Sequence, residues 1–154
     1  MVFVCFGRQK NLKSWLVRLA TDSEWSHVWI EFELAKNVWA IHSASDGVVM
    51  VPADRVRAEY APVETVPLDV PVDVLLWEAH KFVGADYDFN VIINGILLAL
   101  WRATGVIWFR PLRNACKYSC SEVTILLLKR HVKALAALDA ELTTPGKLLE
   151  ALSG

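Results

Sequence analysis

The sequence of 154 residues contains 16 basic and 17 acidic side chains, a formal net charge of −1, and 55% of its residues are hydrophobic. This length predicts a single domain over 1–154 that can bury a sizeable core. Because the charges nearly cancel and no basic stripe stands out, nucleic acid is not expected as a partner. The three cysteines, Cys5, Cys116 and Cys120, lack disulfide-framework spacing, and the first residues lack a secretory signal. A cytoplasmic chain with reduced thiols is therefore the default expectation.

The first half of the chain predicts short strands around one helix. Alternating apolar residues indicate the strands, Asp46-Gly47 indicates a tight turn between two of them, and prolines place the last strand at a sheet edge. A short helical piece or loop is expected after Pro52. The predicted strands cover 2–6, 26–34, 38–44, 48–51 and 61–69, and an amphipathic helix over 10–20 carries Leu12, Trp15, Leu16 and Leu19 at helical spacing.

The second half of the chain has the periodicity of helices. They are predicted over 71–84, where Gly84 occupies a helix-stop position, and over 89–101, 120–133 and 146–152. Strands followed by helices indicate an α+β fold, with a small antiparallel β-sheet or barrel flanked by helices, rather than alternating βαβ units.

The longest apolar run covers 91–101 and is stopped by Arg102. A transmembrane helix needs about 20 mostly apolar residues, so a core helix or a hydrophobic lid is the first interpretation of this run. Contact between the wider segment 89–109 and a membrane surface is the alternative.

The strand over 26–34 has one apolar side. Its other side carries His27, Trp29, Glu31 and Glu33 in alternation. The two carboxylates are expected to be solvated, since an antiparallel strand commonly turns one face to water.

Cys120 stands at the beginning of a predicted helix. Ser119 and Glu122 form the S-x-x-E capping box before an apolar run. The thiol therefore lies where backbone N–H groups are unpaired and the helix dipole is positive, which lowers a thiol pKa by about one unit. Because a free thiol has a pKa of about 8.5, a histidine partner is needed to activate it.

Two of the four histidines suit that role. His27 and His42 fall on successive predicted strands, where paired neighbours can face one another. One imidazole can then accept the thiol proton while the second fixes its tautomer.

The order of these residues resembles the circularly permuted NlpC/P60 proteins. They are a branch of the papain-like cysteine-peptidase superfamily that includes YiiX/YebB-type and lecithin:retinol-acyltransferase-like proteins. In this branch the nucleophile's helix follows the histidine strands, as it does here. The resemblance runs from about residue 22 to the C terminus and rests on Ser26-His27-Val28-Trp29-Ile30, Ile41-His42-Ser43-Ala44, Gly84-Ala85-Asp86-Tyr87-Asp88 and Tyr118-Ser119-Cys120-Ser121-Glu122.

The resemblance implies a papain-like fold and a thiol hydrolase that cleaves an amide bond in a peptide or a peptidoglycan stem peptide. Cys120 would be the nucleophile, His27 the general base and then acid, and His42 the residue that orients His27. Tyr118 and Ser121 are the residues expected to contact the substrate or its oxyanion, and no cofactor or metal is expected. Trp29 replaces the family's usual glycine, and its ring is expected to narrow the substrate cleft.

Three other interpretations stay open. The same residues could transfer or hydrolyse a lipid acyl group, as the retinol-acyltransferase-like relatives imply. A zinc site could use Cys116, Cys120, His27 and His42, although the C-x-x-x-C spacing is poor for zinc. The chain could also be a binding-only member of the fold. Its compartment is expected to be the cytoplasm, or the outside of a cell after release by another route such as a phage lysis system. The oligomeric state is left open.

Overall fold

The computed structural model describes residues 1–88, Thr104 and residues 117–154. The predicted helix over 89–101, the segment 89–109 and Cys116 lie outside the described residues apart from Thr104. In chain order the elements are β1 (Val2–Gly7), α1 (Leu12–Thr21), β2 (His27–Leu34), β3 (Asn37–Ala44), β4 (Gly47–Pro52), α2 (Ala53–Arg57), β5 (Val63–Leu68), α3 (Val72–Ala79), β6 (Asp86–Tyr87), β7 (Lys117–Tyr118), α4 (Cys120–Leu128), a 3-10 helix (Lys133–Leu135) and α5 (Pro145–Ser153).

Five strands form one antiparallel sheet in the order β4-β3-β2-β1-β5. This sheet, flanked by helices, confirms the predicted α+β fold. The predicted edge strand is also confirmed, because β5 pairs with β1 at the end of the sheet and tolerates Pro67 there. The tight turn after Asp46 is confirmed as well, with Gly47 at a φ of +90° that favours glycine.

Two helices are shorter than their apolar periodicity predicted. The helix over 71–84 ends at Ala79 and continues as turns to Gly84, and the helix over 120–133 ends at Leu128. The second helix ends at Leu128 because the chain makes a tight turn there. In this turn the Leu128 carbonyl accepts from the N–H groups of both His131 and Val132. The parallel pair of β6 and β7 was not predicted, because two-residue strands carry no periodic signal. No helix in the described ranges has the length and apolar character needed to cross a bilayer.

The two faces of the sheet differ in chemistry. Side chains alternate along each strand, and the strand register brings like residues together. One face packs against α4 and α3 and belongs to the main core. We call it the apolar face, and its members are Val4, Phe6, Val28, Ile30, Phe32 and Ile41. The opposite face is partly covered by α2, and we call it the mixed face, with Cys5, His27, Trp29, Glu31, Ala40 and His42.

The expectation that Glu31 is solvated was wrong. Its side chain is buried, with 2% of the residue exposed. Arg57 of α2 reaches both carboxylate oxygens, at 2.8 Å from Nε and 2.7 Å from Nη2, and the indole N–H of Trp29 donates to the same carboxylate at 2.8 Å. A carboxylate with these partners can be buried, because its charge and its acceptor sites are both satisfied. Glu33, two residues further on, is exposed as predicted.

Candidate active site

The capping box predicted at the start of α4 is present. The Ser119 hydroxyl accepts from the Glu122 N–H at 3.2 Å, and the Glu122 carboxylate accepts from the Ser119 N–H at 3.2 Å. This geometry fixes Cys120 as the first residue of the helix. The thiol therefore belongs to the first residue of a helix that packs against β2.

Cys120 is buried, with 8% of the residue exposed. Burial raises the pKa of its thiol, and the backbone N–H of Val28 together with the hydroxyl and N–H of Ser121 oppose that rise. Desolvation therefore outweighs the helix terminus, contrary to the lowered pKa expected from the cap alone. The Val28 N–H, which opposes the rise, belongs to the residue that follows His27 in β2.

His27 and His42 face one another as predicted. Nε2 of His27 lies 3.3 Å from Nδ1 of His42, and the two rings are nearly perpendicular at 86°. The pairing of β2 with β3 runs from Leu34 to Ile30 and stops before His27. The rings therefore meet where the described β2–β3 ladder ends. Since Nε2 of His27 is engaged by His42, Nδ1 is the ring nitrogen left to face another group.

The imidazole of His27 lies between two aromatic rings. Tyr60 stacks on it with centroids 4.7 Å apart, and Trp29 stacks with centroids 5.9 Å apart. Gly7 makes this packing feasible, because a Cβ at that position would come within 2.8 Å of both the Trp29 ring and Tyr60. Burial, with His42 as a second cause, lowers the pKa of His27 to about 3. The ring is therefore neutral near pH 7 and can accept a proton.

Trp29 is the fully buried link between His27 and the Glu31–Arg57 pair. The sequence-based expectation that its ring narrows an open cleft is corrected by this position, because the residue has no exposed surface. Its indole N–H is anchored on Glu31 and its ring lies against His27. The residue is therefore placed to hold the imidazole.

Tyr60 and Tyr87 were not among the predicted site residues. Burial raises the pKa of Tyr60 and Tyr87, and a negative charge on Cys120 is the next largest cause for both. Both hydroxyls therefore stay protonated at neutral pH. Tyr87 belongs to the family-like motif over 84–88 and could have been found from it. Tyr60 follows α2 in a turn without any periodic signal.

Two further residues, Ser121 and Tyr118, were predicted to contact the substrate or its oxyanion. Ser121 is buried, and its hydroxyl and N–H oppose the rise in the Cys120 pKa. Tyr118 is half-buried, its carbonyl accepts from the Ser43 hydroxyl at 2.6 Å, and its ring packs edge-on against Phe82 at 5.3 Å. This ring contact of Tyr118 is with the core and not with the thiol. Cys5 is fully buried on the mixed face, as expected for a packing residue.

No group of three histidine, cysteine or carboxylate side chains suited to a metal ion occurs among residues 1–88 and 117–154. The groups that the structure supplies are a thiol at a capped helix start and two imidazoles that face one another. A thiol, a neutral imidazole and a second imidazole that fixes the first are the groups that nucleophilic acyl chemistry requires.

Comparison with known proteins supports the architecture. No family model and no curated protein matches the chain. Among solved structures it is similar to the metalloprotein YiiX from Escherichia coli O157:H7, with a TM-score of 0.50 and 18% sequence identity. The similarity covers 68% of this chain and 66%, slightly less than two thirds, of that chain. At this identity the likeness shows the fold alone. The chain has a YiiX-like α+β fold, in which the helix bearing the cysteine follows the strands bearing the histidines.

Proposed function

We propose that this protein is a cysteine hydrolase that cleaves amide bonds through Cys120, His27 and His42. The observation that carries the proposal is the pairing of two imidazoles, with Nε2 of His27 3.3 Å from Nδ1 of His42, in a fold that also sets Cys120 at the capped start of α4. A thiol and an imidazole oriented by a second polar group are the parts that a cysteine hydrolase needs.

The reaction starts from neutral partners. Burial raises the pKa of Cys120 and lowers that of His27, so a thiol and an imidazole are favoured over an ion pair. Proton transfer from sulfur to Nδ1 of His27 then accompanies attack on the carbonyl carbon. The C–N bond breaks as His27 returns the proton to the leaving amine, and water hydrolyses the thioester with His27 again as base.

His42 and the start of α4 supply the remaining parts. If Nδ1 of His27 is the basic nitrogen, Nε2 carries the hydrogen and donates to Nδ1 of His42, which fixes the tautomer. The developing oxyanion lies near the first N–H groups of α4 and the Ser121 hydroxyl, which already act on the sulfur. These donors belong to a helix whose start is fixed by its capping box, so they need to move little as the oxyanion forms.

The substrate proposed is a peptide or a peptidoglycan stem peptide. Its test is turnover of a panel of peptides, isopeptides, peptidoglycan fragments and acyl esters. We expect amide cleavage that falls by on the order of a thousandfold or more in Cys120→Ala and His27→Gln. His42→Gln should retain more activity than His27→Gln, because it orients the base without accepting the thiol proton. Cys5→Ala is the matched control and should leave turnover unchanged. Full activity of Cys120→Ala would contradict the mechanism.

Thiol labelling of the native protein gives a second readout. Burial raises the pKa of Cys5 to about 12, and the residue has no exposed surface. An iodoacetamide probe should therefore label Cys120 faster than Cys5, and the rate should rise with pH because the Cys120 pKa is raised. Equal labelling of the two would remove the basis for a reactive thiol. Because the structurally similar YiiX is a metalloprotein, metal content is measured beside activity. Stoichiometric zinc with no turnover would favour the metal-binding alternative.

A further inference from the structure

Helix α1 turns its apolar side away from the protein. Leu12, Trp15 and Leu19 recur at helical spacing on one side and are 70%, 50% and 60% exposed. The opposite side, which packs inward, includes Ser14, 5% exposed. An ordinary surface helix has the reverse arrangement, with its apolar stripe toward the core. This orientation exposes apolar side chains to water, which is unfavourable. We therefore interpret the exposed side of α1 as a binding surface.

The inward side of α1 is held by polar contacts that fix this orientation. The Ser14 hydroxyl donates to the Ser26 hydroxyl at 2.7 Å and accepts from the Gln9 N–H at 3.1 Å. Asn11 caps the helix by accepting from the Ser14 N–H at 2.8 Å. Rotating the helix to bury its leucines would break the contacts made by Ser14. The outward apolar side therefore follows from specific hydrogen bonds.

Basic side chains predominate in α1 and the residues before it, and Asp22 and Glu24 follow directly after the helix. Residues 8–21 contain Arg8, Lys10, Lys13 and Arg18 and no aspartate or glutamate, in a chain whose net charge is −1. Arg8 pairs with Glu24 at 2.8 Å. Lys10 and Lys13 are exposed and form no ion pair with any residue in the described ranges. Two unpaired lysines beside a Leu/Trp stripe match the composition of helices that lie in the interface of anionic membranes.

We propose that α1 docks the protein on an anionic lipid bilayer, with Leu12, Trp15 and Leu19 in the acyl–headgroup boundary and Lys10 and Lys13 at the lipid headgroups. The hydrogen bond from Ser14 to Ser26 ties this helix to the residue preceding His27. The bound bilayer therefore lies on the same end of the sheet as the candidate active site. The proposal does not depend on the proposed chemistry, because docking needs neither the thiol nor the imidazoles.

The test is cosedimentation of the full chain with vesicles of equimolar phosphatidylcholine and phosphatidylserine, compared with phosphatidylcholine alone. The wild type should bind the anionic vesicles more tightly. Replacing Leu12, Trp15 and Leu19 together by glutamine should weaken binding by on the order of a hundredfold. The double variant Lys10→Gln/Lys13→Gln should weaken binding to anionic vesicles by about fivefold per lysine and leave the neutral-vesicle control unchanged.

Trp77→Gln is the matched control, because Trp77 is an exposed tryptophan of another helix, at 69% exposure. It should bind vesicles as the wild type does, and Cys120→Ala should do the same. Binding that survives the triple glutamine variant would assign docking to another segment, such as 89–109, and overturn the proposal. An absence of vesicle binding, with a dimer that the triple variant converts to monomer, would show that α1 binds a second copy instead. If the triple variant does not fold, the lysine pair alone decides the outcome.

Discussion

The two faces of the central sheet are both buried, yet they achieve burial by different means. The apolar face packs aliphatic and aromatic side chains against α4 and α3. The mixed face buries an imidazole, an indole N–H and a carboxylate, and hydrogen bonds satisfy them. A polar residue in a strand is therefore not necessarily exposed, because a hydrogen-bond partner elsewhere in the chain can satisfy it when it is buried. The candidate site draws on both sides, since α4, which carries the thiol, packs against the apolar face and the two imidazoles belong to the mixed face.

The largest stability effect is expected on the apolar face. Phe32→Ala removes a fully buried ring, and lost transfer energy plus the remaining cavity should lower the free energy of unfolding by about 3–5 kcal/mol. Urea unfolding followed by circular dichroism measures this change. Leu34→Ala is the matched control on the same strand, because Leu34 is 40% exposed, and it should cost less than about 1 kcal/mol. Similar losses for the two variants would contradict the packing assigned to β2.

A smaller but still large effect is expected from the carboxylate of the mixed face. Glu31→Ala leaves the buried Trp29 indole N–H without its acceptor, and it should lower the free energy of unfolding by about 2–3 kcal/mol. The loss stays below that of a fully buried ion pair because Arg57, whose side chain is 46% exposed, can turn to water.

Glu33→Ala is the control for charge and strand position, and it should change stability by less than about 0.5 kcal/mol. Glu31→Gln should fall between the two, since an amide oxygen can still accept from the indole. If Glu31→Ala and Glu33→Ala were equally mild, Glu31 would be solvated, as the alternation alone suggested.

Local patterns of the sequence were sufficient to predict most of the sheet and the start of α4. The alternation in β2, the Asp46-Gly47 turn and the capping box at Ser119 are each encoded within a few residues, and the structure contains all three. The meeting of His27 and His42 followed from the antiparallel pairing of consecutive strands. These features could be predicted because each depends on neighbours in sequence.

The missed features depend on partners far apart in the chain. Glu31 is buried by an arginine 26 residues away, and no pattern within β2 reveals that partner. Tyr60 reaches His27 from the turn after α2, and Gly7 leaves room for it from a third element. The outward orientation of the apolar side of α1 could not be predicted for the same reason. Its periodicity is that of any amphipathic helix, and hydrogen bonds of Ser14 decide which side faces in.

Gly7→Ala is expected to disturb the mixed face alone. The added Cβ would come within 2.8 Å of the Trp29 ring and of the Tyr60 Cβ, so overpacking should lower the free energy of unfolding by about 1–3 kcal/mol. Displacement of Tyr60 from His27 should also expose the imidazole and raise its pKa from about 3 toward its ordinary value. Histidine titration by NMR measures that change. An unchanged titration in a destabilised variant would show that the stacked rings do not control the imidazole.

A difference in pH dependence separates His27 from Glu122. Burial lowers the His27 pKa from 6.5 to about 3, so the unfolded chain binds the extra proton first. Stability due to the neutral ring is present above pH 6.5 and is lost as pH falls toward 3, by up to about 1.4 kcal/mol per unit. Burial raises the Glu122 pKa from 4.5 to about 7, so the folded state takes up the proton first. Its contribution is present below pH 4.5 and is lost as pH rises through 7.

Between pH 6.5 and 4.5 the two contributions have opposite signs, so the wild type should show a shallow dependence there. Glu122→Gln keeps the capping-box geometry and removes the opposing proton uptake. Its free energy of unfolding should therefore fall more steeply with acid than that of the wild type, by up to about 1 kcal/mol per unit, because water screens the half-buried carboxyl. Adding His27→Gln should flatten the curve again. Urea unfolding at several pH values measures these slopes, and parallel curves for the wild type and Glu122→Gln would show that Glu122 ionises normally. Since Glu122 caps the helix of the thiol and His27 belongs to the mixed face, this cycle tests the two sides of the site against one another.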